Sequence, residues 1–129
     1  MPRRSVTDRL RSGEVLLMDG GTGSELQRRG VEVLLGSRGD KLGPWSATAN
    51  LDAPDVVQQV HQDYLRVGAD IIISNNFRTT RTRLAPVGLG QRWKEYAEAG
   101  GQVRDGVLVL ERSRRAPRVP EDPRCPGEV

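Results

Sequence analysis

The stretch from Pro54 to Ser74 constrains the fold more than any other part of the chain. Pro54 stands where a first helical turn tolerates proline, and Gly68 follows the last turn, so both ends are punctuated. Between them Val57, Val60, Tyr64 and Val67 recur at helical spacing and predict a helix over 54–67 with one apolar stripe. Directly after Gly68 come Ala69, Asp70, Ile71, Ile72, Ile73 and Ser74. Three consecutive β-branched residues mark a strand covered on both faces.

The run Glu14-Val-Leu-Leu-Met-Asp19, halted by Gly20-Gly21, predicts an equivalent strand before that helix. A further helix is predicted from about Gln91 to Ala99, ended by Gly100-Gly101, and Val107–Leu110 reads as a third strand. Alternating strands and helices imply α/β architecture with parallel strands and right-handed crossovers.

Size limits that architecture. A complete eight-fold βα barrel takes about 250 residues, and this chain has 129. Residues 1–13 form a basic N-terminal segment without the apolar stretch of a secretory signal. From 111 to 129, Pro117, Pro120, Pro123 and Pro126 fall every third residue among charged side chains, which reads as a disordered Pro/Arg-rich tail.

The charge balance is 20 basic against 17 acidic residues, net +3. That is a weak field for nucleic acid, and five aromatics are too few for a base-stacking platform. No apolar run is long enough to span a membrane, so the expected location is the cytoplasm. Cys125 is the only cysteine, which excludes an internal disulfide and a cysteine-based metal cluster.

In parallel β/α folds ligands gather at the C-terminal ends of strands, which singles out Asp19–Ser24 and Ser74–Arg78. Thr22 and Glu25 have capping-box spacing, with Thr22 as N-cap and Gly30 as the stop of a brief helix. The glycines of Asp19-Gly20-Gly21-Thr22-Gly23 permit close backbone approach, and amide groups at the helix start favour an anion. With the Asp19 carboxylate beside them, the turn reads either as an amino-acid clamp or as a tight connection.

Residues 31–50 carry no period and read as a loop, long enough to cover a substrate. Leu26 stands where a dinucleotide fingerprint needs a small residue, and no phosphate-binding P-loop ending exists. His61 lacks a second His or Cys nearby and reads as a surface or partly buried side chain. Arg78-Thr-Thr-Arg-Thr-Arg83 reads as a solvated helix start or a phosphate-binding cluster.

Four blocks in order carry a resemblance: Leu17–Leu26, Pro44-Trp45-Ser46, Ala53–Asp70 and Ile72–Thr80. Together they resemble the N-terminal part of the homocysteine S-methyltransferase family, over about Val15 to Trp93. The resemblance implies a TIM-type (βα) barrel, of which residues 14–110 would supply the first two to three βα units. It implies methyl transfer to the homocysteine thiol, giving methionine, with zinc holding the thiolate as nucleophile.

By matching positions, Asp19, Gly20, Gly21 and Thr22 belong to the homocysteine clamp. Trp45 would border the methyl-donor pocket, and Ser74, Asn75 and Asn76 its floor. The family's zinc ligands are three cysteines in the C-terminal half of the barrel, and this chain lacks them. The expectation is therefore an N-terminal methyltransferase portion, inactive alone, with homocysteine and a methyl donor as partners by resemblance. The alternative is a small amino-acid-binding or partner-completing module without catalysis of its own, self-associating through open strand edges or joined by a complementing chain.

Overall fold

A computed structural model describes the backbone of residues 4–113 and side chains through Val107. Residues 114–129, and with them most of the Pro-rich segment and Cys125, lie outside the described residues. Among the described residues six α-helices follow in chain order: α1 (Val6–Arg11), α2 (Thr22–Arg28), α3 (Ala49–Asp52), α4 (Pro54–Arg66), α5 (Arg81–Leu84) and α6 (Trp93–Ser113). Short 3-10 turns at Trp45–Thr48, Ala85–Val87 and Gly90–Arg92 link them.

The α/β expectation, including a TIM-type partial barrel, is corrected. Among the described residues no strand forms. The segments at 14–19 and 69–74 do run parallel, yet they meet in one isolated bridge, Met18 to Ile71. The bonds there are Asp70 N–H to Leu17 O at 2.8 Å, Ile71 N–H to the same oxygen at 3.1 Å, and Asp19 N–H to Ile71 O at 2.9 Å. A parallel ladder is stable when both faces are covered. Here Val15, Leu17, Met18 and Ile73 remain exposed, so pairing ends after one bridge.

The predicted third strand at Val107–Leu110 lies inside α6 instead. Gly100-Gly101 does not end that helix. Tyr96, Gly100, Val103 and Val107 recur at helical spacing and turn one face inward, where Tyr96 and Val107 are buried. Burial of that face outweighs the roughly 1 kcal/mol that each interior glycine costs relative to alanine.

The predicted helix at 54–67 forms as α4, with Pro54 in its first turn. Val57 and Val60 are fully buried, whereas Val67 falls beyond the last turn and is exposed. With Leu26, Val33 and Ala49 they make the main core, onto which Trp45, Tyr64 and Val103 pack. A second cluster gathers Ala47, Leu84 and Tyr96, flanked by Leu89 and Trp93. The loop expected at 31–50 is therefore part core: its last residues, Ser46 to Asn50, are buried.

Two helix stops agree with expectation, since Gly30 and Gly68 both adopt positive φ, +86° and +108°. The capping box does not form. Gly21 is the N-cap of α2 and Thr22 its first helical residue, without a side-chain cap bond. Glu25 turns instead to Arg28 and Arg29, whose guanidinium groups hold its carboxyl below the usual range. Arg29 also reaches Asp63 at 2.8 Å, joining α2 to α4.

Within the basic N-terminal segment, α1 is capped by the Ser5 hydroxyl. Its Arg9 pairs with Asp70 at 2.8 Å, and Asp70 also accepts from Leu17 N–H at 3.1 Å.

Candidate functional site

The bridged pair places Asp19 beside the second segment. One carboxylate oxygen of Asp19 accepts the Ile73 amide at 3.0 Å, so the acid closes the end of the pair while keeping its other oxygen clear of that bond. Gly20 follows, and a Cβ there would stand 3.0 Å from the Tyr64 hydroxyl. That hydroxyl donates to Gly21 O at 3.4 Å. The Asp19–Thr22 turn is thus pinned from α4 by Tyr64. Because α2 has only seven residues, the anion-binding helix start expected here is a weak one.

Trp45 lies across α2. Its indole occupies the space that a Cβ on Gly23 would fill, and its φ of 54° is the only positive value among described non-glycine residues. A bulky residue in that region costs about 1–2 kcal/mol, which packing of the ring into the main core offsets.

Behind the turn, Asn75 is buried in a polar network. Its side-chain oxygen accepts the Ser46 hydroxyl at 2.7 Å. Its amide donates to Ser46 O at 2.7 Å and to the Asn50 side-chain oxygen at 2.9 Å. Asn50 in turn donates to Asn75 O and Tyr96 O, at 2.8 and 3.0 Å. Asn76 donates to Ala97 O at 2.9 Å, while its buried Oδ1 has no partner among the described residues.

These amides therefore tie the segment after Ile73 to α3 and α6. Ser74 is half-buried, its carbonyl accepting Asn76 N–H at 2.8 Å. The structure gathers Asp19, Gly20, Gly21 and Thr22 at one end of the bridge. It sets Asn75 and Asn76 in the frame behind, with Trp45 next to Ser46 on the α2 side.

Sequence reasoning missed the part that three residues play. Asn50 gives no local signal, and Gly100 reads as a helix stop, because the Asn76 and Asn50 side chains that lie against it come from distant segments. His61 was legible in principle: it follows Val60 and lies four residues after Val57, on the apolar face of α4. It is fully buried, and among the described residues neither ring nitrogen has a hydrogen-bond partner. Burial pushes its pKa down, the Asp19 carboxylate works against that shift, and Arg104 adds to it.

The donor set does not fit zinc. His61 is the chain's one histidine, its one cysteine lies outside the described residues, and among the described residues no three His, Cys, Asp or Glu side chains are placed to hold a metal.

Sequence comparison now assigns the chain. The pattern of the homocysteine S-methyltransferase family matches residues 16–111, and the chain belongs to that family. It is similar to betaine–homocysteine S-methyltransferase 1 of Danio rerio, 29% identical over 85% of this chain and 24% of that protein. The Bos taurus protein of the same name is 32% identical over 64% of the chain and 18% of its own length. Selenocysteine methyltransferase of Astragalus bisulcatus is 42% identical over 58% of the chain and 20% of its length. The chain thus spans about a quarter or less of these relatives. No solved structure matches it.

Family membership does not bring the expected function with it. The reading as a methyltransferase portion on a TIM barrel is corrected by the described residues. They are helical, form no strand, and offer no metal-binding group of acidic, His or Cys side chains. No helix among them is long and apolar enough to cross a membrane.

Proposed function

We propose that the chain is a partner-completing module without catalysis of its own. An extended apolar segment of another polypeptide covers its bridged pair, and the Asp19–Thr22 turn then forms part of an amino-acid-binding surface. The observation that carries this reading is the exposure of Val15 (83%), Leu17, Met18, Ile73 and Phe77 (87%) on and beside the two bridged segments.

Burying a large apolar side chain fully is worth about 1.5–3 kcal/mol; because Leu17, Met18 and Ile73 are already nearly half covered, covering the five yields roughly 5–10 kcal/mol gross. Association itself costs on the order of 4–15 kcal/mol. Apolar burial alone only balances that cost, so the partner has to pair with the backbone edge as well. The amino acid that the family name suggests is homocysteine. Asp19 would meet its ammonium, and Gly20, Gly21, Thr22 and Ser74 its carboxylate, with Trp45, Asn75 and Asn76 holding the frame.

The test mixes the chain with a polypeptide comprising the unmatched remainder of the zebrafish relative. The expected result is a one-to-one complex by sedimentation, with amide exchange slowed at residues 17–19 and 71–73. Homocysteine binding by calorimetry is expected in the complex and absent from either part alone. Failure to associate, or association that leaves those amides unprotected, would overturn the reading.

A further inference from the structure

In a parallel ladder each bond fixes where the next one falls, and here side chains take the next position at both ends. The Met18–Ile71 bridge consists of Ile71 N–H to Leu17 O and Asp19 N–H to Ile71 O. One further bond toward the N-termini would join Leu17 N–H to Ala69 O. One further bond toward the C-termini would join Ile73 N–H to Asp19 O. Instead, Leu17 N–H donates to the Asp70 carboxylate at 3.1 Å, and Ile73 N–H to the Asp19 carboxylate at 3.0 Å. Each segment thus carries an aspartate that intercepts the next amide of the other.

The Asp70 end has a further support. Arg9 reaches Asp70 at 2.8 Å and Glu14 at 2.7 Å, and so spans the start of both segments. Among the described residues α1 buries none of its own side chains, with Val6 and Leu10 exposed. Charge rather than apolar packing therefore holds it there, and salt screens such pairs. A carboxylate accepts an amide more strongly than a neutral carbonyl does, so the aspartates prevail while the faces of the pair stay open to water. Covering those faces reverses the preference, because a charge costs more to desolvate than a carbonyl.

We propose that Asp19 and Asp70 are paired stops that hold the bridge at one rung, Arg9 steadying the second, and that a carboxylate leaving its amide lets the ladder advance at that end. The stops belong to this chain alone; only the cover that releases them rests on the partner-completing reading. Side chains of this kind compete with ladder bonds for the same amides. The consequence for the turn is reciprocal. Advance at the C-terminal end moves Ile73 N–H to Asp19 O and frees the Asp19 carboxylate for an ammonium group. An ammonium group that takes the carboxylate favours the advance by the same factor.

The test reads NMR couplings across hydrogen bonds in the full, isotope-labelled chain. Leu17 N–H is expected to couple to the Asp70 carboxyl carbon, and Ile73 N–H to that of Asp19. Absence of either coupling would overturn the stops without any variant. In Asp70→Ala, Leu17 N–H is expected to couple to the Ala69 carbonyl carbon instead. A Leu17 amide that loses exchange protection without gaining that coupling would make Asp70 a simple cap and overturn the switch. Arg9→Gln is expected to shrink the Leu17–Asp70 coupling at least twofold and to spare Ile73–Asp19; equal effects on both, or none, would overturn the part given to Arg9. Mixed with the remainder of the zebrafish relative, both amides are expected to move to the carbonyls. A complex in which they stay on the carboxylates would overturn the switch and leave the partner reading standing. Failure to associate would defeat the partner reading, while Asp70→Ala still decides the switch.

Discussion

The side-chain oxygen of Asn76 occupies the space beside Gly100 in which any other residue would place its Cβ, and that missing carbon lets α6 close over the asparagine network. A Cβ at Gly100 would overlap Asn76 Oδ1 and lie 2.7 Å from the Asn50 amide nitrogen. Next door, a Cβ at Gly101 would meet nothing within 4 Å among the described residues. Two adjacent glycines in one helix thus have opposite reasons to be replaced.

Gly100→Ala is therefore expected to destabilise the chain by about 1–3 kcal/mol, the usual cost of overpacking, despite alanine's better helix propensity. Gly101→Ala is expected to stabilise it by up to about 1 kcal/mol. Urea midpoints of the two variants at constant slope give the comparison. The same sign for both would mean that the network does not set the packing of α6.

The indole of Trp45 against Gly23 makes a second such pair. Gly23→Ala is expected to cost about 1–3 kcal/mol by forcing the ring aside. Added to Trp45→Ala it is expected to cost far less, because the ring it displaces is gone. A double-mutant cycle by chemical denaturation measures the coupling, and additive losses would refute the contact.

His61 predicts a pH dependence. Its folded pKa lies below the ordinary 6.5 because burial disfavours the charged ring. The unfolded chain consequently binds the extra proton between the two values. Stability from this group is present above the unfolded pKa and lost as pH falls below about 6.5, by at most about 1.4 kcal/mol per pH unit for one proton. His61→Leu removes both unpaired nitrogens and is expected to flatten thermal stability between pH 7 and pH 5. An unchanged slope in that variant would assign the dependence to other groups.

The exposed edge predicts an asymmetry between stability and association. Leu17→Ser and Phe77→Ser are expected to change the unfolding free energy by no more than about 0.5 kcal/mol, as exposed substitutions do. Both are expected to reduce binding of a hydrophobic dye and to weaken the complex with the relative's remainder at least tenfold. Loss of stability without loss of association would show that these side chains pack within the chain itself.

Much of the local structure was legible in the residues. Proline at the start of α4, glycines at 30 and 68 with positive φ, and the Val57–Val60 spacing act within one or two turns, so short-range sterics suffice to read them. The four ordered motif blocks pointed to the family that the match over residues 16–111 establishes. Legibility failed where the answer depended on a distant partner. Gly100-Gly101 reads as a stop until Asn76 is known to lie against it.

By itself, then, the sequence determined the punctuation of α4, the stops after α2 and α4, and the family. Tertiary structure decided whether the two β-branched and apolar runs become strands, because a parallel strand draws its stability from neighbours on both faces. Here those faces stay open and one bridge remains. It also decided that His61 is fully buried rather than partly buried or at the surface, and that Asn75 and Asn76 bind the frame together. Burial and hydrogen bonding are relations between segments far apart in the chain, and no local pattern encodes them.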